Sequence, residues 1–373
     1  MKSIREALTN NNSPAPQVTS KLSVYQHWDP LKAMAVGISY PPELYDYIKN
    51  EKVRKVFYQI AEETEEDYQK LISLLQKFNV HVVRADAAQG ISQAQYAIKK
   101  NMQIMRPSFM QPRDVSIMIG EDFYCPNVGP YKSIIDYVKS RGNNVLGSHH
   151  LEIGHWKHDD YPAYMNGAMT TRVGKDLYIG TLGDENLEIN GTLSELEAKM
   201  QAKFPDYRVT VVDTKGHSDG SFCPVKPGLI MSIKGDWQYK KTFPDWEVVY
   251  LEGEGLEKVT DFLTLKRRNN GKWWVPGQEL NQDFTNYVET WMNHWVGYVE
   301  ESVFDVNMIV IDQQNVIVNS YNKLAFDAFS RHGITPHMCN FRHRYFWDGG
   351  LHCITSDLRR EGAMIDYFPE RNQ

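Results

Sequence analysis

The chain has 373 residues, of which 42% are hydrophobic and 24% charged, and its formal net charge is −6. The acidic balance argues against a basic face for nucleic acid, and no apolar run approaches the roughly 20 residues that span a bilayer. Residues 1–20 lack the apolar stretch of a secretory signal and are rich in Asn, Ser and Pro, which predicts a disordered tail ahead of a single domain over residues 21–373.

The four cysteines are Cys125, Cys223, Cys339 and Cys353, and they are widely scattered with no Cys-x-x-Cys pair. This spacing favours neither a disulfide framework nor a zinc site, and it predicts a cytoplasmic protein. Each thiol is therefore judged by its own surroundings.

A unit of strand, helix and strand is predicted five times along the chain. The predicted elements are a strand at 32–38, a helix at 62–78 and a strand at 80–83; a strand at 115–120, a helix at 132–140 and a strand at 144–146; a strand at 176–179, a helix at 193–203 and a strand at 208–212; strands at 228–232 and 247–250 with a poorly marked helix between them; and strands at 307–312 and 316–318, a helix at 323–332 and a strand at 335–339. Repetition of one architecture is typical of propellers and solenoids. In a radial arrangement the same end of every unit points towards one axis, where the residues beside the leading strands would converge.

The segments beside these leading strands carry acids, amides, a histidine and a thiol. They are 112–114, 166–168, 216–219, 305–307 and 348–353. These residue types, drawn from distant parts of the chain, form the inventory of a catalytic site.

Cys353 follows the pair Gly349 and Gly350 and has His352 beside it. A double glycine lets the backbone turn sharply or approach a ligand closely. A thiol after such a turn, next to a histidine, is a candidate nucleophile. The alternative is a buried core cysteine, which is common for free thiols.

His217 and Asp219 follow a predicted strand, and alternation along a strand places both on the same side. One could then move protons while the other binds a cation; the alternative is a turn with a satisfied polar pair. Asp114 emerges beside another strand, where a cap or a salt bridge is the alternative. The histidines at 149–158 match no familiar ligand spacing, so no metal site is predicted.

Three motifs in this order resemble those of the amidinotransferases. They are Pro112-Arg-Asp114, Gly216-His-Ser-Asp-Gly-Ser-Phe222 and Gly349-Gly-Leu-His-Cys-Ile-Thr-Ser-Asp-Leu-Arg-Arg360. The opening Trp28-Asp-Pro-Leu-Lys-Ala-Met-Ala-Val-Gly37 is also similar, and the resemblance covers the chain from about residue 22. It implies an α/β fold, the five-bladed α/β-propeller (pentein) of ββαβ units about a pseudo-fivefold axis.

The resemblance also implies a role for each motif residue. Cys353 would be the nucleophile, His217 the general acid and base, and Asp114 and Asp219 the pair that holds a guanidinium. An amidino group would pass from arginine or a related guanidine to an acceptor amine through a covalent amidino-thioether on Cys353, without metal or organic cofactor. A planar cation with paired N–H donors suits two carboxylates. The expected partners are therefore small molecules, with no nucleic acid or membrane, and a homo-oligomer is the default assembly.

Three positions depart from the family pattern. Asn166 stands where the family has an acid that orients the histidine, and an amide can still orient an imidazole. Lys234 stands where the family has an arginine for the donor's carboxylate. Glu300 and Glu301 replace small hydroxyl residues and are a solvated pair or face an acceptor amine. The predicted substrate-binding set is Asp114, Asp219, Arg113, Lys234, Glu300 and Glu301.

Two alternatives stay open at this point. The first is hydrolysis of the guanidine by water on the same fold, as in deiminases and dihydrolases. The second is a guanidine-binding protein without catalysis, which the amide at Asn166 motivates.

Overall fold

The computed structural model describes residues 21–99, 110–125, 129–146, 166–181, 192–214, 216–233, 239–251, 259–261, 263–264, 273–292 and 302–372. The tail predicted at residues 1–20 lies outside these ranges, as do Lys234, Glu300, Glu301 and the histidines at 149–158.

The strands of the described residues form five sheets of three strands each. They are β1 (Leu31–Val36), β2 (His81–Arg84), β3 (Ile117–Ile119), β4 (Asp122–Tyr124), β5 (Asn144–Leu146), β6 (Thr170–Val173), β7 (Asp176–Gly180), β8 (Arg208–Val212), β9 (Phe222–Lys226), β10 (Leu229–Ile233), β11 (Glu247–Leu251), β12 (Ile309–Asp312), β13 (Asn315–Val318), β14 (Thr335–Met338) and β15 (Thr355–Arg360). In every sheet the middle strand pairs antiparallel with one neighbour and parallel with the other. A parallel pairing requires a crossover, so each sheet needs a connection that crosses from its middle strand to its parallel neighbour.

Helices provide these crossovers. Those described are α1 (Glu51–Lys77), α2 (Ala87–Lys99), α3 (Lys132–Ser140), α4 (Leu193–Lys203), α5 (Tyr239–Thr242), α6 (Gln282–Trp291), α7 (Val303–Val306), α8 (Lys323–Arg331) and α9 (Arg344–Trp347). The resulting ββαβ blades are β3-β4-α3-β5, β6-β7-α4-β8, β9-β10-α5-β11, β12-β13-α8-β14 and β15-β1-α1-β2. The five-bladed α/β-propeller that the motifs implied is therefore confirmed. None of the helices in the described ranges is long and apolar enough to cross a bilayer.

The last blade closes the ring by joining the two ends of the chain. β15 pairs antiparallel with β1, with Val36 opposite Thr355 and Ala35 opposite Ser356. The sequence analysis did not predict β15, because the segment Thr355–Arg360 is mostly polar and charged.

Helix boundaries follow local capping. The helices predicted at 132–140 and 193–203 are confirmed, and a capping box of Thr192 and Glu195 starts the second of them. α1 begins at Glu51 rather than at residue 62, because the side chain of Asn50 accepts hydrogen bonds from the first backbone N–H groups. Its apolar face packs in one cluster with Met34 and Val36 of β1.

A buried cluster of charges lies where the leading strands of the blades meet. The carboxylate of Asp357 in β15 accepts hydrogen bonds from Arg113 Nη2 at 2.6 Å, Arg172 Nη2 at 3.1 Å and Arg360 Nε at 2.8 Å. Arg113 precedes β3 and Arg172 lies in β6, while Arg360 Nη2 donates to the Val310 carbonyl of β12 at 2.8 Å. The carboxylate of Asp357 thus links three of the five blades, and its partner Arg360 links the cluster to a fourth.

We expect Asp357→Asn to destabilise the protein by about 3–5 kcal/mol or to prevent folding, because it leaves three buried guanidinium groups without a counter-charge. The matched control is Asp327→Asn, which breaks the exposed pair with Lys323 and should cost less than about 1 kcal/mol. Urea denaturation of the two variants measures both effects. Equal, small losses would show that the Asp357 cluster does not hold the blades.

Candidate active site

The five segments grouped from the sequence lie just before the first strand of each blade, although three of these first strands, β6, β9 and β15, were not predicted. Asp114 precedes β3, Asn166 precedes β6, Asp219 precedes β9, Asn307 precedes β12 and Cys353 precedes β15. Each blade therefore contributes one polar side chain at the same structural position. The convergence expected for a radial arrangement is confirmed.

Hydrogen bonds link these segments in a closed ring about the axis, each one joining a blade to the next. The links are Gly167 N to Arg113 O at 2.9 Å, Asp219 N to Ala168 O at 3.2 Å, Asn307 Nδ2 to Asp219 O at 3.2 Å, Cys353 N to Asn307 Oδ1 at 3.2 Å and Arg113 Nε to His352 O at 2.7 Å. Because the ring is closed, these two backbone hydrogen bonds and three bonds between a side chain and the backbone fix the relative positions of the five segments.

Cys353 lies within this ring and is 6% exposed. Its Sγ lies 3.4 Å from Asp219 Oδ2 and accepts a hydrogen bond from Asn307 Nδ2 at 3.1 Å. The two preceding glycines make this approach possible. A Cβ on Gly349 would lie 2.3 Å from Gln111 Nε2, and one on Gly350 would lie 2.6 Å from Asn307 Oδ1.

The surroundings of Cys353 favour its protonated thiol form. Burial raises the pKa of the thiol well above its usual value, and the carboxylates of Asp219 and Asp114 raise it further. Hydrogen bonding from Asn307 and Gly350 acts in the opposite direction and is outweighed. With these groups alone, Cys353 is a thiol at neutral pH.

The two acids beside the sulfur each present an unfilled acceptor. Oδ1 of Asp114 and Oδ1 of Asp219 are buried and receive no hydrogen bond from any residue in the described ranges. Buried carboxylate oxygens normally have donors. Two of them next to one thiol make a site for a cation that carries N–H groups.

The two acids differ in protonation. Burial raises the pKa of Asp114 to about 7, and the charges of Asp219 and Asp348 add to this while His217 opposes it. Burial also raises the pKa of Asp219, but the hydrogen bond from His352 and nearby positive charges outweigh it and bring the pKa below its usual value. At neutral pH Asp219 is therefore ionised, and Asp114 is close to its midpoint.

His352 holds Asp219 in place. Its Nδ1 lies 2.9 Å from Asp219 Oδ2, and a carboxylate can only accept, so Nδ1 carries the hydrogen. Burial lowers the pKa of His352 to about 4, with the charge of Arg113 as the next cause. His352 is thus a neutral donor. The sequence analysis noted it only as a neighbour of Cys353.

His217 lies two residues before Asp219 and is partly exposed. It precedes the short 3-10 turn Ser218–Gly220, which is anchored by Ser218 Oγ donating to the Met169 carbonyl at 2.9 Å. Its charge acts on both Asp114 and Asp219, so the structure brings the histidine and the two acids together.

Asn166 uses its side-chain oxygen locally. Oδ1 accepts hydrogen bonds from the N–H groups of Ala168 at 3.1 Å and Met169 at 2.9 Å, which fixes the turn before β6. The predicted contact of Asn166 with His217 stays a prediction.

Arg113 lies in a different place from the one expected for a substrate-binding residue. It is fully buried, its Nε donates to the His352 carbonyl and its Nη2 donates to Asp357. These two hydrogen bonds hold the backbone at His352, the residue before Cys353. The expectation of a substrate contact is corrected accordingly.

Asn307 is the residue that the sequence analysis did not assign. The segment 305–307 was grouped with the candidate site, but no role was given to its amide. Its contact with Cys353 depends on the packing of two blades, which no motif in either segment reveals.

The five blades, with a thiol, a histidine and two acids at their axis, define the class of pentein α/β-propellers. Within this class the chain is similar to the amidinotransferases, as its motifs predicted.

Comparisons with curated proteins and with solved structures both give amidinotransferases. No profile of a known protein family matches the chain. It is 29% identical to the L-arginine:L-lysine amidinotransferase of Pseudomonas savastanoi pv. phaseolicola, over 69% of this chain and 68% of that protein. It is 24% identical to the mitochondrial glycine amidinotransferase of Xenopus tropicalis over 44% of this chain, and it spans about a third (32%) of that protein's length. The inosamine-phosphate amidinotransferase StrB1 of Streptomyces griseus shares the fold with a TM-score of 0.61 at 17% identity, over 93% of this chain and 99% of that one.

We expect Asp114→Asn to stabilise the protein at neutral pH, because it removes a buried carboxylate that two other acids repel. The pKa of Asp114 rises from its usual 3.8 to about 7 on folding, so the wild type loses stability as pH rises between these values. The advantage of the variant should be small below pH 4, grow up to pH 7 and then stay constant at no more than about 4 kcal/mol. Thermal denaturation from pH 4 to pH 8 measures it. A difference in stability between the variant and the wild type that is no larger at pH 8 than at pH 4 would contradict the assignment.

Proposed function

We propose that this protein is an amidinotransferase that moves an amidino group from arginine or a related guanidine to an acceptor amine, through a covalent intermediate on Cys353. The observation that carries this proposal is a pair of buried carboxylates, Asp219 beside the sulfur and Asp114 close enough for its charge to act on the thiol, each with an Oδ1 to which no described residue donates. A guanidinium matches them because it is planar, cationic and rich in paired N–H donors.

Binding of the cation prepares the nucleophile. The carboxylates that raise the pKa of Cys353 would be neutralised by the guanidinium, so the thiol proton becomes easier to remove. His217 accepts this proton, and Sγ forms a bond with the central carbon of the guanidinium. The acids keep the group protonated and its carbon electrophilic.

The tetrahedral adduct then collapses. His217 gives its proton to the departing nitrogen, the bond between carbon and that nitrogen breaks, and a free amine leaves. The amidino group remains on Cys353 as a thioether. An acceptor amine, deprotonated by His217, attacks the same carbon, and the bond between carbon and sulfur breaks to restore Cys353.

The comparisons support the choice of substrates. An arginine and a lysine are named for the Pseudomonas relative, and glycine for the Xenopus relative. We therefore infer arginine as donor and an amino acid as acceptor. Lys234 stays a prediction for the contact with the donor's carboxylate, and Glu300 and Glu301 stay predictions for a contact with the acceptor amine.

We also infer a reducing compartment, the cytoplasm, for this chemistry. No disulfide joins Cys125, Cys223, Cys339 or Cys353, all of which lie in the described residues, and this is typical of proteins kept in a reducing environment. A homo-oligomer remains the default expectation for its assembly.

The proposal predicts that arginine, together with lysine or glycine, yields ornithine and a new guanidino product, and that arginine alone leaves an amidino group on the protein. Amino-acid analysis of the products and mass spectrometry of the intact protein measure these outcomes. Cys353→Ala should abolish both, whereas the matched control Cys125→Ala, a thiol buried in another blade, should retain both.

Other products would overturn the proposal. Citrulline or ammonia without a guanidino product would make the protein a hydrolase. The absence of any adduct and any turnover across a range of guanidines would make it a binding protein.

We expect Asn166→Asp to retain or raise the transfer rate. A carboxylate oxygen can still accept the two backbone hydrogen bonds that fix this turn, and its charge would stabilise a protonated His217. Steady-state kinetics of both proteins measure the effect. Loss of activity in a folded Asn166→Asp protein would mean that the N–H group of the amide is needed.

A further inference from the structure

Asn307 makes four hydrogen bonds around Cys353 with one side chain. Oδ1 accepts from the backbone N–H groups of His352 at 2.9 Å and Cys353 at 3.2 Å. Nδ2 donates to Cys353 Sγ at 3.1 Å and to the Asp219 carbonyl at 3.2 Å. The side chain therefore touches the sulfur, the backbone that carries it and the segment of the neighbouring acid.

The orientation of this amide is fixed by its partners. The two backbone N–H groups can only donate, so they require the oxygen of Asn307 on their side. The Asp219 carbonyl can only accept, so it requires the amide nitrogen. In a flipped amide, Nδ2 would face the two backbone N–H groups and Oδ1 would face the Asp219 carbonyl, so these hydrogen bonds would be lost. The unflipped orientation therefore directs an N–H group at Sγ.

Burial and hydrogen bonds hold Asn307 in place. The residue is 1% exposed, and its own carbonyl accepts a hydrogen bond from Asn319 Nδ2 at 3.0 Å. Asn319 Nδ2 also donates to the Phe304 carbonyl at 2.8 Å, which holds the end of α7. Gly350 leaves room for the amide, since a Cβ there would lie 2.6 Å from Asn307 Oδ1.

The N–H group of Asn307 counteracts the negative charge of the carboxylate beside the sulfur. Asp219 lies 3.4 Å from Sγ through its Oδ2, and a negative sulfur next to a carboxylate is repelled. A hydrogen bond to a charged acceptor is shorter and stronger than one to a neutral acceptor. The Asn307 donor therefore stabilises the thiolate more than the thiol.

We propose that Asn307 is a further catalytic residue, whose amide N–H group holds Cys353 Sγ and stabilises the negative sulfur from which the attack begins. This role rests on the proposed function, in which Cys353 is the nucleophile. In the second half of that reaction, when the acceptor amine displaces the sulfur, the same hydrogen bond stabilises the departing thiolate.

The test is the rate of Cys353 alkylation by iodoacetamide as a function of pH, with the label located by peptide mass spectrometry. Asn307→Asp replaces the donor with a carboxylate oxygen that faces Sγ. We expect its alkylation profile to shift upwards by at least about one pH unit, which is a tenfold slower reaction at neutral pH. Asn307→Ser replaces the amide N–H donor with a hydroxyl on a shorter side chain and adds no charge, and we expect a smaller shift in the same direction.

The matched control is Asn143→Asp, a buried asparagine in another blade whose Nδ2 donates to the carbonyls of Leu22 and Glu121, both at 2.8 Å. This variant should lose stability but keep the wild-type alkylation profile. If folded Asn307→Asp and Asn307→Ser both keep that profile, the inference is overturned. A shift in their profiles combined with no adduct from any guanidine in the wild type would show that Asn307 stabilises the thiolate, but it would overturn the proposed transfer reaction and with it the catalytic role of this contact.

Discussion

The buried carboxylate of Asp357 is the interaction on which the rest of the structure depends. It neutralises part of the charge of three guanidinium groups that come from three different segments, and none of them has access to water. Without it, three cations would repel one another at the axis of the propeller. Because Arg113 also supports the His352 carbonyl, the position of the nucleophile loop depends on this cluster.

The axis carries two layers of opposite charge. The layer around Asp357 has a positive excess, while the layer at Cys353 contains the carboxylates of Asp219 and Asp114. The charge of Arg113 acts between them, since it lowers the pKa of both site acids and that of His352. The positive charge around Asp357 thus favours the ionised forms of Asp114 and Asp219. These two carboxylates in turn disfavour a thiolate at Cys353.

The sequence predicted those parts of the molecule that depend on neighbouring residues. Amphipathic spacing located the helices at 132–140 and 193–203, and the motifs located Cys353, His217 and both acids. It did not predict β15, whose partner β1 lies at the other end of the chain and whose residues are largely polar. The burial of Arg113 was missed for a similar reason, because its partner Asp357 is 244 residues away. The contact of Asn307 with the sulfur likewise exists only after two blades pack together.

The acids of the site link nucleophile formation to substrate binding. Asp114 and Asp219 raise the pKa of Cys353 when they stand alone, and a bound guanidinium cancels that effect. By linkage, the cation must lower the thiol pKa by the same free energy with which the thiolate tightens the binding of the cation. A sulfur that keeps its proton until the cation arrives is a poor nucleophile towards everything else. The hydrogen bond from Asn307 then supplies stabilisation to the sulfur in both halves of the proposed reaction, after the cation has removed the electrostatic obstacle.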